Sequence, residues 1–432
     1  MGKITVGLIS NDTVGKKMAG PGIRYVELTR HLARNPQLRV VLVAPLGTDI
    51  SIAGASIRSF KISSQRSIIN QIKDIDVIIS QNLKPFVARY AKKHNIIYIA
   101  DLYDPMIIER MEHFRTTSAR RQKNAFEHTY QDMLIQLNYA DHILCASEKQ
   151  KDLYIGILSG LGMITPATYL DDPTLEKFIS IVPFGFSGQP IKKFYGDPVG
   201  KKFPTIGPDD KVVLWGGGIW SWFDAMSPVR AVEKISHHRQ DIKLLFMGVH
   251  HPGGNAQVTG AISDILDYCR KRKLLDRCIF FNFGWTPYEE RVQYLQRATI
   301  GISTHYDNLE TRFSFRTRFL DYLWANLPIV CTKGDALADL IERHGLGRVV
   351  GYKDINSIAF AIEQLVDQPK LRGQIKLNIA KLKTQFYWSK IVEHLAELIL
   401  DGKLKSRSVK GWQSFLLLGR FYAKALKERY GK

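Results

Sequence analysis

The stretch that decides the fold is residues 212–231, VVLWGGGIWSWFDAMSPVRA. A short apolar run, Val212 to Trp215, meets Gly216, Gly217 and Gly218, and Trp220, Trp222, Phe223 and Asp224 follow ahead of a helix-like segment. A buried strand that hands over to a helix through glycine is how a parallel sheet presents its carboxyl edge to an anion. Glycine lets the backbone come close without a Cβ, and the unpaired N–H groups at a helix start favour negative charge. The competing reading is a tight turn with no ligand, because the loop fits neither G-x-G-x-x-G nor a P-loop. A second turn of the same kind, AGPGIRY at 19–25, follows the strand-like KITVGLIS. Two such turns point to two ligand-binding walls.

Outward from these turns the chain alternates between strand and helix. In the first half RVVLVAP, DVIIS, NIIYIAD, ADHILCAS and ISIVPFGF read as strands, with IRYVELTRHLARN, SIINQI and PFVARYAKKH as helical connectors. Residues 187–210, rich in Gly, Pro and Lys, break the pattern. The alternation resumes with VVLWGG, IKLLFMG, CIFFNFG, IGIS, PIVCT and GRVVGY. This is an α/β chain of two Rossmann-like domains in tandem, each a parallel sheet covered by helices. The expected boundaries are 1–190, a linker at 191–210, a second domain at 211–400 and a C-terminal segment at 401–432.

Composition sets limits on function. The 432 residues are 45% hydrophobic and 24% charged, enough for two cores, and the formal charge of +20 favours a polyanionic partner. Cys145, Cys269, Cys278 and Cys331 form no CxxC pair and read as reduced core thiols. No apolar run reaches the roughly 18 residues of a membrane span, and MGKITVGLISND is too broken for a secretory signal, so a cytoplasmic location is expected. The adjacent acids Asp171 and Asp172 read as a solvated turn, and the pairs His237–His238 and His250–His251 lack a companion ligand. No metal is expected.

GPGIRY, DLYDP, ADHILCASEKQKDLYIGIL, VPFG, WGGGIW, FNFGWTPYEERVQYLQRATIGIS and DNLETRFSFRTRFLDYLWANLPIVCTKGD together resemble the two-domain GT-B glycosyltransferases, most similarly the retaining family 4 group. The resemblance spans nearly the whole chain. It implies two Rossmann-like domains facing across a cleft, a nucleotide-sugar donor on the second domain, a saccharide acceptor on the first, and no cofactor. Asp321, ahead of YLWANLPIV, matches the family's second acid, expected on the donor ribose. The partner acid eight positions earlier is replaced by Phe313, with Glu310 near it as a catalytic substitute. The Arg and Lys that usually follow the glycine pair are also missing. Arg316 and Arg318 in SFRTRF, with Thr317 and Lys333, are therefore the expected diphosphate ligands, because a guanidinium fork suits phosphate oxygens.

Further donor-side candidates are Gly217 and Gly218, Trp285 stacking on the base, His305, and Trp222 with Asp224 lining the sugar subsite. On the acceptor side Gly20 and Gly22 form the loop, Asp101, Asp104 and His113 accompany it, and Asp104 is the candidate for proton transfer. Rival readings remain for several of these residues: a hydrophobic plug for the WSWFD aromatics, a core ring for Trp285, a turn cap before Pro105 for the aspartates.

Residues 403–432 carry nine cations and one anion, with Trp412, Phe415, Leu416, Tyr422 and Leu426 on one helical face. Such a basic amphipathic helix suits an anionic membrane surface, or it packs on the first domain. The leading expectation is a sugar transferase for cell-surface polysaccharide acting on a lipid-linked acceptor at the cytoplasmic membrane face. The alternatives are a nucleotide-sugar epimerase of the same fold and a nucleic-acid-binding protein. The second is disfavoured by the absence of helix-turn-helix, RRM or zinc patterns.

Overall fold

A computed structural model describes residues 2–15, 18–191, 195–249, 260–284, 286–287, 290–402 and 404–407. The chain divides into two compact units, Met1–Phe184 with Ile391–Lys432, and Gly185–Lys390. The segment read as a linker belongs to the second unit. Pro198–Lys202 is a short helix there, capped by Asp197 through the Gly200 N–H, and Arg297 donates to the carbonyls of Gly207 and Asp210. The last helix, Trp388–Leu400, passes to the first unit from Ile391 onward.

The first unit holds seven strands: β1 (Ile4–Ile9), β2 (Leu38–Pro45), β3 (Ala55–Phe60), β4 (Val77–Ser80), β5 (Ile97–Asp101), β6 (His142–Cys145) and β7 (Ile179–Ile181). They pair in parallel in the order β3-β2-β1-β4-β5-β6-β7. The second unit holds β8 (Lys211–Trp215), β9 (Ile242–Phe246), β10 (Ile279–Phe281), β11 (Ala298–Ser303), β12 (Ile329–Thr332) and β13 (Gly347–Val350). Their order, β10-β9-β8-β11-β12-β13, is the same doubly wound pattern, again all parallel. Helices cover both faces of such a sheet, which is why β4, β6, β9 and β12 are buried along their whole length.

In this order the chain leaves β1 and β4, and likewise β8 and β11, toward opposite sides. A crevice therefore opens at their carboxyl ends, where ligands of open α/β sheets bind. The two glycine turns lie there: the helix Gly20–Leu32 follows β1, and Gly216–Gly218 follow β8. All four cysteines are buried and free. Among the described residues no helix is long and apolar enough to cross a membrane.

Candidate functional site

The second unit explains its three glycines one by one. Tyr322, fully buried on the helix Thr317–Trp324, lies under the turn. Its hydroxyl accepts from the Gly216 N–H at 2.7 Å and sits 2.9 Å from the carbonyls of Leu214 and Ile302, to one of which it donates. A Cβ at Gly216 would come within 3.1 Å of the Tyr322 ring, and one at Gly301, in the middle of β11, within 2.5 Å of Cδ2. Both glycines make room for this tyrosine rather than for a ligand. Gly217 is the conformational glycine, with φ +93° and open space where a Cβ would stand. The Gly218 carbonyl accepts from Trp215 Nε1 and from Arg318 Nη2.

Arg316 and Arg318 have different environments. Arg316, 5% exposed, makes a two-pronged ion pair with Glu310, itself 2% exposed, at 2.7 and 2.6 Å. Among the described residues Arg318 has no carboxylate partner, and its Nη1 has no hydrogen-bond partner. Its guanidinium lies 4.5 Å from the centroid of the Trp215 ring and 4.2 Å from that of Phe223. Burial above all, with the Arg316 charge adding, lowers its pKa to about 10, so it stays a cation at neutral pH. It occupies the first turn of Thr317–Trp324, where no acidic residue offsets the helix dipole.

His305 follows β11 and is fully buried. Its Nε2 is 3.0 Å from the Ser303 hydroxyl, its Nδ1 3.3 Å from that of Thr332, and its ring faces Phe223 and Phe319. Burial, with Arg316 and Arg318 adding, holds its pKa well below the usual range, so the ring is neutral. It braces the turn instead of titrating.

Asp224 departs from expectation. Its carboxylate accepts from the N–H and the hydroxyl of Ser227 and is 2% exposed, so it secures the start of the helix Met226–Ile235 and is taken up before any sugar hydroxyl. Trp220 and Trp222 stack at 5.6 Å, but Trp222 is 7% exposed and offers little ring surface. Asp321 pairs with Arg291 at 2.8 Å, and burial raises its pKa against the pull of that arginine. Thr317 is exposed at the helix start, and Lys333, exposed after β12, lies over the Tyr352 ring at 5.6 Å. Trp285 lies outside the described residues.

The first unit contains a comparable edge. Arg24 and Asp101 are both 0% exposed and form a two-pronged ion pair at 2.8 and 2.7 Å. Two further guanidinium hydrogens, on Nη2 and Nη1, donate to the carbonyls of Val182 and Pro183, and the Tyr103 ring covers the group at 4.7 Å. Asp101 is therefore a structural acid that joins the first helix to the ends of β5 and β7, not an acceptor ligand. Gly22 is required by close approach, since a Cβ would stand 2.5 Å from the Thr13 carbonyl, whereas Gly20 has open space.

Asp104, just past β5, is only partly buried. Gln81, just past β4, donates to it at 3.4 Å, and Asn11, just past β1, donates to the Gln81 carbonyl. Burial raises the Asp104 pKa to about 6, and the Asp101 charge adds to this against the Gln81 hydrogen bond. His113 sits apart on the helix Met106–Phe114, its pKa lowered by burial and then by Arg110.

No family model matches the chain, and no curated protein matches it. Solved structures do. Sucrose-phosphate synthase from Thermosynechococcus elongatus is 15% identical with a TM-score of 0.65 over 92% of this chain and 99% of that one. Anabaena HepE in complex with UDP-glucose is 12% identical with a TM-score of 0.63 over 92% and 100%. WaaG, a glycosyltransferase involved in lipopolysaccharide biosynthesis, is 13% identical with a TM-score of 0.61 over 92% and 100%. The chain has the GT-B fold.

Each half of this GT-B chain thus carries a polar cluster at the carboxyl end of its own sheet. Arg318, Arg316, Glu310, His305 and the glycine turn converge in the second unit, and Asp104 with Gln81 and Asn11 in the first. Among the described residues no three His, Cys, Asp or Glu side chains gather as metal ligands. The sequence reading missed Tyr322, Arg24 and Gln81. A glycine in the middle of an apolar strand, as at Gly301, was the available signal for a large side chain pressed against the sheet.

Proposed function

We propose that this GT-B chain is a glycosyltransferase that moves a hexosyl group from a nucleotide sugar to a saccharide acceptor, without a metal and with retention of configuration. The observation that carries the reading is Arg318, a desolvated cation with an unused donor at the head of a helix on the carboxyl edge of β11. A leaving diphosphate is the anion such a site suits: the guanidinium offers paired donors, and the helix adds N–H groups. Arg316 and Glu310 hold the loop that presents Arg318. On the other unit Asp104, poised near neutrality, positions or deprotonates an acceptor hydroxyl.

UDP-glucose, bound by HepE, is the first donor to test. A thermal-shift and hydrolysis screen of the full chain against UDP, GDP, dTDP and their sugars, run in EDTA, is expected to show one nucleotide sugar raising the midpoint and turning over. No response to any of them overturns the reading, and activity that EDTA abolishes and magnesium or manganese restores overturns its metal independence.

Asp104 gives a pH signature. Acting as a base it must be ionised, so kcat/KM rises as pH increases through about 6, and Asp104→Asn removes that limb. Stability runs the other way. The folded carboxyl titrates at about 6 and the free one at 3.8, so the folded state binds the proton more tightly, and stability falls as pH rises through that window. Asp104→Asn is expected to stabilise the protein by about 3 kcal/mol at pH 7 and to leave it unchanged in acid below the free-carboxyl range. A pH-independent effect on unfolding refutes the assignment.

We propose further that the acceptor is lipid-linked, that the product is a cell-surface polysaccharide, and that the enzyme works at the cytoplasmic face of the membrane. The basic C-terminal segment supports this reading. Its residues 408–432, and with them the expected amphipathic helix, lie outside the described residues, but they carry six cations and one anion. Arg407 just before them is anchored: its N–H donates to Asp141 at 2.6 Å and its guanidinium lies 3.8 Å from the Phe178 ring centroid. Truncation after Arg407 is therefore the clean test. It should leave the melting midpoint in place and reduce binding to anionic vesicles, where each basic residue contributes roughly 1 kcal/mol near the surface, more so at low salt. Equal vesicle binding by the two chains rules out a membrane role for the segment.

A further inference from the structure

The second unit has a cavity on the opposite edge of its sheet. Its volume is about 360 Å³, and its lining includes Gln189, Gln296, Trp324, Asn326, Lys383 and Tyr387. Gln296 closes the helix leading into β11, and Trp324 and Asn326 close the helix leading into β12, so the cavity sits at the amino ends of those strands. The glycine turn, Arg318 and His305 are at the carboxyl ends. One helix, Thr317–Trp324, has Arg318 in its first turn and Trp324 as its last residue, about 9 Å apart along its axis at 1.5 Å per residue.

Several lining groups have fixed partners. Trp324 Nε1 donates to the Gln189 carbonyl at 3.0 Å, and Arg291 lies 5.3 Å from the centroid of its ring. Tyr387 is set edge-on to Phe186, and Gly188 lies close enough that a Cβ there would meet the Tyr387 ring at 3.1 Å. Asn326 takes a left-handed turn at φ +54° and accepts from Lys383 Nζ at 3.0 Å. Lys383 forms no ion pair among the described residues, and none of the lining residues is acidic. Burial alone lowers its pKa. A partly buried ammonium with no acidic residue in the lining, three primary amides and two aromatic rings with fixed partners border one small space. Amides match sugar hydroxyls, rings match the apolar C–H faces of a sugar, and the ammonium calls for an anion.

We propose that this cavity is a second binding site, separate from the donor and acceptor edges, for a monosaccharide bearing one acidic group, a carboxylate or a phosphate. The proposal does not depend on the transferase reading, since it concerns residues that reading does not use.

The test is calorimetric titration of the full chain with glucuronate, glucose 6-phosphate, glucose and inorganic phosphate. At least one of the two acidic sugars should bind saturably with a Kd of about 1 mM or tighter, at least tenfold more tightly than glucose or phosphate. Whichever of them binds identifies the acidic group. Lys383→Ala should weaken that binding tenfold or more, and Trp324→Phe should weaken it less. Both variants should keep the parent's melting midpoint, which controls for folding, and neither should alter the affinity of a nucleotide sugar that binds in the screen. Three results overturn the proposal: no saturation by either acidic sugar at about 10 mM, undiminished binding by Lys383→Ala, or displacement of the acidic sugar by the nucleotide sugar.

Discussion

Arg24→Ala is expected to destabilise the first unit by about 3–5 kcal/mol, because it leaves the Asp101 carboxylate buried and without a counter-ion. Both groups are 0% exposed, and the guanidinium also satisfies the carbonyls of Val182 and Pro183. The loss therefore includes a buried charge and two orphaned acceptors. Denaturant unfolding of the full chain, followed by a probe in the first unit, measures it. The apolar pair Arg24→Met with Asp101→Leu should recover much of the loss, since replacing both partners removes the charge that needed pairing. A single Arg24→Ala chain that unfolds like the parent refutes the structural role. It would return Asp101 to the list of acceptor-binding acids.

The second large effect is on turnover. Arg318→Met should reduce kcat/KM for transfer by about a hundredfold, the scale seen when one donor to a developing anion is removed. Methionine keeps apolar bulk between Trp215 and Phe223, so the midpoint should move little, whereas Arg318→Lys should retain part of the activity through a single-point charge. Arg316→Ala separates the two arginines. It strands Glu310 in a buried site, and its first effect should be lost stability of a few kcal/mol. Unchanged kinetics in Arg318→Met place the diphosphate elsewhere.

Much of the architecture was legible because its signals are local. Every strand with a continuous apolar run was read, and the missed one, β3 (ASIRSF), is an edge strand in which only Phe60 is buried. An edge strand with one buried residue has no apolar run to betray it. The glycine turns were also read correctly as the ends of strands. What the sequence could not show is that Gly216 in the turn, like Gly301 inside β11, makes room for Tyr322.

The charged residues divide along the same line. Arg316 and Arg318 are two positions apart, and no pattern in SFRTRF says that one is neutralised by Glu310 while the other keeps a free Nη1. Asp101 and Asp104 stand three residues apart in DLYDP, yet one is a buried ion-pair partner and the other is held near neutrality.

Hydrophobic period and glycine placement thus set the strands, their carboxyl edges and the doubling of the motif, because those depend on neighbours along the chain. Partnership among polar groups was decided by the fold. Arg24 meets Asp101 across 77 residues and Gly216 meets Tyr322 across 106. Taking a charge or an N–H out of water is costly unless a partner is present, and which partner is present depends on how the sheets and helices assemble.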